Sequence, residues 1–309
     1  MSIKEIKHLI IGIDGGATKT LGIVSGFDGE PIGTMQSGPS NYLIIGAKKC
    51  AITLQNLILS LIKEHNLKLQ NVASIIIGLA GAGRENDKKI ILNELYSLAK
   101  IKKIKFPKII ILSDAEVALY GAFSLKNGAI LIAGTGSILY AKTEKNKIIR
   151  VGGWGRIVGD LGSGYFLGKE GITAVLKDLD FSGEKTILTK KIKEIYKLDN
   201  AQKIIYEIYK NNFDIPEFAK IVIQTASEKD KVALEILNRG AVELASLVKP
   251  IANKKIKIAL IGSLFKNNSV YKKIVTKKIK SKFKNIKIVE AEHSPAYGAV
   301  LYGLEKINV

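Results

Sequence analysis

Hydrophobic and polar positions alternate between two periods along this chain. His8 to Ile13 is a short apolar run closed by Asp14-Gly15-Gly16, and Thr20 to Ser25 resumes as a second strand. Asp28-Gly29 turns the chain into a third, Pro31 to Gln36. Gly46 to Glu64 then carries Ala51, Leu54, Leu57, Ile58 and Leu61 at helical spacing, and Val72 to Leu79 reads as a buried strand. A helix over Asp87 to Lys100 and a strand over Lys108 to Leu112 complete an alternation expected of a partly parallel sheet. From Gly128 the pattern restarts: strand Ala129 to Ala133, turn Gly134 to Ser137, returning strand Ile138 to Thr143. This repeats the opening of the chain and predicts an internal duplication into two related α/β halves. Gly162 to Val248 is mainly helical, with one helix expected over Ser227 to Val248. Strand Ile256 to Ile261, helix Ser269 to Lys280, strand Ile286 to Val289 and a last helix from Pro295 to Leu304 follow.

At 309 residues the chain exceeds the size at which single cores stop growing, about 250–300 residues, so two domains are expected, with a cleft between them as the default place for a site. Apolar residues make up 47% and charged residues 25%, which excludes disorder. The net charge of +20 invites a nucleic-acid reading. Against it, only Arg84, Arg150, Arg156 and Arg239 among the 48 basic residues carry the guanidinium fork that base and phosphate recognition recruits. The lysines, set among isoleucines, read as solvated helix faces, and no nucleic-acid partner is expected. Cys50 is the single cysteine, so one chain holds no disulfide, Cys-rich zinc site or iron–sulfur cluster. Met1 to Lys7 leads into an apolar run too short for a signal peptide, and no membrane-length apolar stretch occurs, so a cytoplasmic location is expected.

Five segments carry candidate chemistry. In Asp14-Gly15-Gly16-Ala17-Thr18-Lys19-Thr20, glycines free backbone N–H groups to face an anion, hydroxyls add donors, and Asp14 can hold a magnesium ion directly or through water. This is not a Walker loop, whose nearest approach, Gly168-Lys169-Glu170, lacks the partner glycine and the hydroxyl. Gly134-Thr135-Gly136-Ser137 has the same chemistry, and two such turns at equivalent places can clasp one polyphosphate. Asp114, in Ser113-Asp114-Ala115, sits at a strand's carboxyl end, where it either caps the next helix or accepts the proton of an attacking hydroxyl. Gly152 to Gly164 holds six glycines and the only tryptophan in thirteen residues, an entropic cost that a plain connector does not need. There Trp154 offers a stacking face and Asp160 a hydroxyl acceptor to a sugar. Gly262-Ser263, after a strand and before a helix, suits a nucleoside lying against the backbone.

In order, Asp14-Gly15-Gly16, Thr18-Lys19-Thr20, Gly38-Pro39-Ser40-Asn41, Gly78-Leu79-Ala80-Gly81, Ser113-Asp114-Ala115, Gly134-Thr135-Gly136-Ser137, Gly152-Gly153-Trp154-Gly155, Gly159-Asp160 with Gly162-Ser163, and His293 to Ala299 span nearly the whole chain. Together they resemble the N-acetylglucosamine kinase branch of the BadF/BadG/BcrA/BcrD ATPase family. The resemblance implies an α/β actin-like ATPase fold of two ribonuclease-H-like domains with a central cleft, residues 1–122 plus 295–309 forming the first and 123–294 the second. It implies ATP and Mg2+ as cofactors and an amino sugar as substrate, N-acetylglucosamine at its 6-hydroxyl foremost. N-acetylmuramic acid, glucosamine and a broader hexokinase or glucokinase activity stay open, as do a non-catalytic sensor or ATPase-type activator and a homodimer. By the same carry-over, Gly15, Gly16, Ala17, Thr18 and Lys19 with Gly134, Thr135, Gly136 and Ser137 would hold the ATP phosphates, Gly262 and Ser263 the adenosine, and Asp14 the metal. Asn41, Asp114, Thr135, Gly136, Trp154, Gly155, Asp160 and Gly164 would contact the sugar, with Asp114 the catalytic base. Leu161 departs from the family pattern, which has glutamate there, and Ala17 stands where a third glycine is commoner.

Overall fold

A computed structural model describes residues 8–143 and 147–307. The charged segment 1–7, which precedes the apolar run read above as too short for a signal peptide, lies outside the described residues. The described chain divides into two compact units, 8–126 with 291–307 and 127–290.

Unit 1 opens with β1 (Leu9–Gly15), β2 (Thr20–Gly26) and β3 (Pro31–Ser37), an antiparallel meander. After α1 (Tyr42–Ile45) and α2 (Ala47–Glu64) come β4 (Val72–Leu79), α3 (Glu85–Ile101), β5 (Lys108–Ser113) and α4 (Asp114–Phe123). The sheet order is β3-β2-β1-β4-β5, with β1, β4 and β5 parallel. β1 is apolar on both faces because it is covered on both. Leu9, Ile11 and Ile13 join the core built on α2 and α3, while Ile10 packs with Ala296 and Val300 of α11 (Pro295–Ile307). This is the period-2 alternation of a strand with two buried sides. Each buried isoleucine contributes about 1.5–3 kcal/mol. Gly12, on the α11 side, interrupts the run for a packing reason: a Cβ there would collide with the carbonyl of Ala296 and, at 2.7 Å, with Val300.

Unit 2 contains β6 (Gly128–Ala133), β7 (Ser137–Lys142) and β8 (Ile148–Gly152) as a second antiparallel meander. Five helices follow: α5 (Gly164–Leu179), α6 (Ile187–Tyr196), α7 (Ala201–Lys210), α8 (Ile215–Ser227) and α9 (Lys231–Ser246). Then come β9 (Ile256–Ile261), α10 (Val270–Lys282) and β10 (Ile286–Val289). The sheet order β10-β9-β6-β7-β8 is the order of unit 1 with the same strand directions, so the duplication read from the sequence is structural. β8 carries no clear period and was not anticipated. The helix expected over Ser227 to Val248 is α9, which starts one turn later: α8 ends at Ser227, Lys229 adopts φ 66°, and Asp230 caps α9 through the N–H of Ala233 at 2.8 Å. Asp230 is buried and also accepts from Thr186 Oγ1 and the N–H of Ile187, so a satisfied buried carboxylate sets where α9 begins.

Candidate active site

In unit 1 the parallel strands β1, β4 and β5 end at one sheet edge, which brings together Asp14, the Leu79–Gly81 segment and Asp114. Asp14 occupies the penultimate position of β1, opposite Leu21 and Gly78. Its carboxyl is pushed up to about 6, by burial first and by the Asp114 carboxylate second, with Lys19 pulling it down. Asp114 is the first residue of α4, and the cap is Ser113, whose Oγ accepts the Glu116 N–H at 3.2 Å while Glu116 accepts the Ser113 N–H at 2.8 Å. The capping role open to Asp114 from the sequence is therefore taken. Desolvation by surrounding protein raises the Asp114 carboxyl, opposed by the Ala115 N–H that donates to Oδ1 at 2.9 Å. Two adjacent carboxylates, both raised, suit proton acceptance and cation binding.

The β1–β2 turn, Gly16 to Lys19, is closed by the Gly16 N–H donating to Lys19 O at 2.9 Å. Its base is stitched to the next segment: the N–H groups of Ser40 and Asn41 both donate to Gly16 O, Ala80 N–H donates to Gly15 O, and Thr20 Oγ1 bonds Gly38 O and Ser40 Oγ. A Cβ on Gly15 would strike Ser40 Oγ and lie 2.6 Å from Leu79 Cδ1. Ala17 is absent from the residues with positive φ, so the alanine fits the turn without strain. Asn41 Oδ1 caps α1 through Leu43 N–H, which leaves its amide N–H2 for a ligand, and Gly81 (φ 89°) packs against Asn41 Oδ1.

In unit 2 the β6–β7 turn is tied to the glycine-rich segment. Gly164 N–H donates to Gly134 O at 2.7 Å, Tyr165 N–H to Thr135 O at 3.2 Å, and Ser137 Oγ to Leu161 O at 2.8 Å. Asp160 adopts φ 54° and holds its Oδ2 2.8 Å from where a Gly136 Cβ would lie, so the carboxylate closes directly on the turn. Gly152, Gly153, Gly155 and Gly162 all have positive φ. Trp154 is 67% exposed, with Arg150 over its ring at 4.7 Å. The N–H of Gly164 is occupied by Gly134, so only its Cα edge is offered to a ligand.

Gly262 (φ 118°) lies against the Ala133 carbonyl, too close for any Cβ, and this brings Ser263 beside Gly134. The result is a cavity of about 550 Å³ lined by Gly134, Thr135, Gly164 and Ser263 together with Asp214, Pro216, Glu217, Lys220 and Gln224 from α8 and its N-cap, and Lys266 and Asn267 from the turn after β9. The sequence did not disclose these α8 and turn residues: spaced by three and four, they read as a solvated helix face. The one local signal is the pair Asn267-Asn268, both with positive φ. A further cavity of about 600 Å³ includes Asp178, Thr186 and Asp230, none from the turns, and these carboxylates are already bonded to Thr186, Thr189 and backbone N–H groups.

Among the described residues no group of three or more His, Cys, Asp or Glu side chains can hold a metal. Magnesium does not require one, since it takes one or two carboxylates and completes its shell with water and phosphate. Asp14, with no hydrogen-bond partner for its carboxylate among the described residues, fits that role. Cys50 is fully buried and its thiol is pushed up to about 12 by desolvation, so it is a core residue. No helix among the described residues is long and apolar enough to cross a membrane.

Fold and site define an α/β protein with a duplicated mixed sheet and a glycine- and hydroxyl-bearing turn in each half. The family model of the BadF/BadG/BcrA/BcrD ATPase family matches residues 11–303, and the chain belongs to that family. It is similar to an N-acetylmuramic acid/N-acetylglucosamine kinase of Clostridium acetobutylicum, 35% identical over 94% of this chain and 97% of that protein. It is also similar to an N-acetyl-D-glucosamine kinase of Dictyostelium discoideum, 28% identical over 96% and 98% of the two chains. A solved structure from Chromobacterium violaceum, of a protein proposed to be an N-acetylglucosamine kinase, shares the fold with a TM-score of 0.76 at 22% identity, covering 97% of this chain and 99% of that one.

Proposed function

We propose that this chain is an ATP-dependent amino-sugar kinase that transfers the γ-phosphoryl group of MgATP to the 6-hydroxyl of N-acetylglucosamine. The observation that carries the reading is the raised carboxylate pair Asp14–Asp114 at the sheet edge of unit 1, beside the first of two like turns. In this reading Asp114 accepts the proton of the attacking hydroxyl. Burial raises its carboxyl, which suits a proton acceptor, and the Ala115 N–H donating to Oδ1 orients it. Asp14 holds the magnesium ion, which when bound neutralises charge on the transferring phosphate. The backbone N–H groups of Gly15 to Lys19 and of Gly134 to Ser137 receive the phosphates, and Ser263 with the cavity walled by α8 takes the nucleoside. Asn41 donates to a sugar oxygen from unit 1, while Trp154, Gly155, Asp160, Thr135 and Gly136 supply stacking and hydroxyl acceptors from unit 2. The two relatives named above act on N-acetylated amino sugars by their names, which supports this choice over glucose. In this reading the enzyme works in the cytoplasm, where ATP is supplied.

Coupled ADP release with N-acetylglucosamine, N-acetylmuramic acid, glucosamine and glucose, followed by phosphorus NMR of the product, tests the reading. An N-acetylated sugar is expected to give the highest kcat/KM, with phosphate on O6. ATP hydrolysis indifferent to every sugar, or none at all, overturns it.

A further inference from the structure

The four arginines of this lysine-rich chain are not scattered evenly: Arg150 and Arg156 flank Trp154. Arg239 is committed to Glu170 at 2.7 Å, and Arg150 donates to Gly153 O at 2.6 Å while covering the Trp154 ring. Arg156 is different. Its guanidinium lies 5.7 Å over the ring of Tyr165 and has no carboxylate partner among the described residues. Tyr165 follows Gly164 and donates its N–H to Thr135 O, so the platform under Arg156 is anchored to the second turn. The Arg156 backbone is held as well, since Gly159 N–H closes on Gly155 O at 2.8 Å and makes 155–159 a compact turn. From Arg150 to Phe166 the segment has two guanidiniums and a single carboxylate, Asp160, and the residue after Asp160 is the half-exposed Leu161.

A stacked, unpaired guanidinium in a segment of net positive charge is a receptor for a carboxylate. Its planar fork matches both oxygens, which the point charge of lysine does not. Resting on the amino-sugar reading above, we infer that Arg156 is a specificity-determining residue that binds a carboxylate carried by the sugar. An amino sugar bearing an ether-linked carboxylic acid is then preferred over its uncharged derivatives. Arg156 acts on binding; the hydroxyl, the phosphate and Asp114 are untouched by it.

The test compares N-acetylmuramic acid, its methyl ester and N-acetylglucosamine as substrates of the wild type, Arg156→Gln and Arg156→Lys. The ester keeps the shape and removes the charge. The wild type is expected to favour acid over ester, and Arg156→Gln to lower that ratio of kcat/KM about tenfold or more through KM, with Arg156→Lys recovering part of it. A ratio that does not move, or equal losses on all three sugars, overturns the inference. So does a wild type that phosphorylates N-acetylglucosamine and neither muramic sugar, an outcome that leaves the kinase reading standing. Failure of the wild type on all three sugars overturns the kinase reading and this inference with it.

Discussion

The two units share one sheet order and one kind of turn, yet they place different chemistry around it. In unit 1 the turn after β1 is flanked by two carboxylates, and burial first and Asp114 second raise the Asp14 pKa. In unit 2 the turn after β6 follows Ala133 and is flanked by backbone amides, the Asp160 loop and a polar cavity. The strand that corresponds to β5 is β10, and the acid that follows it, Glu290, is spent on Lys272 at 2.8 Å. Duplication therefore supplied two turns of like composition, and divergence left the buried carboxylate pair with one half and the cavity walled by α8 with the other.

The sharpest way to break that comparison is to remove the acid from each half. Asp114→Asn is expected to lower kcat about 10²- to 10⁴-fold with sugar binding retained, as measured by coupled ADP release and calorimetry. Glu290→Gln, which cuts only an exposed pair, should leave kcat within about twofold. Equal effects of the two substitutions would mean that the halves are not chemically distinct.

The next effect in size concerns Asp14 in the metal-free chain. Its folded pKa, about 6, lies above the unfolded value of 3.8, so the folded state holds the proton more tightly. Stability is then greatest below about pH 4, falls as pH rises to about 6 and is level above it, by about 1–3 kcal/mol in all. Asp14→Asn should flatten this stretch of the thermal midpoint against pH and abolish the response of turnover to added magnesium. A wild-type slope unchanged in the variant would show that the carboxylate is not the group responsible.

The smallest effects compare neighbours within the first turn. Gly15→Ala forces a methyl into Ser40 and Leu79 and should cost about 1–3 kcal/mol. Ala17→Gly, at a position already at ease, should shift stability by less than about 1 kcal/mol. Thermal unfolding of both variants reads the difference.

Much of this was legible in the chain. Strand Val72–Leu79 emerges with the bounds its apolar run suggests, because a strand buried on both faces leaves an almost unbroken hydrophobic signature, while Ile256–Ile261 and Ile286–Val289 keep their bounds although each carries one exposed lysine. The exact start of α9 was not legible, because Asp230 looks like any surface acid until Thr186, distant in sequence, comes to bond it. Nor was the cap at Ser113, where Ser and Asp are equally good candidates and only the backbone geometry assigns it.

What the sequence determined by itself is local: the period of each element, the glycine and hydroxyl content of the two turns, the repeat that joins them and membership of the family. Tertiary structure alone decided which distant pieces meet. Gly12 exists for α11, Gly262 for Ala133 and Gly136 for Asp160, and the face of α8 becomes a cavity wall once β9 ends beside it. The physical reason is that hydrophobic periodicity is written in consecutive residues. A close approach is written instead in a missing Cβ, whose meaning depends on what the fold places against it.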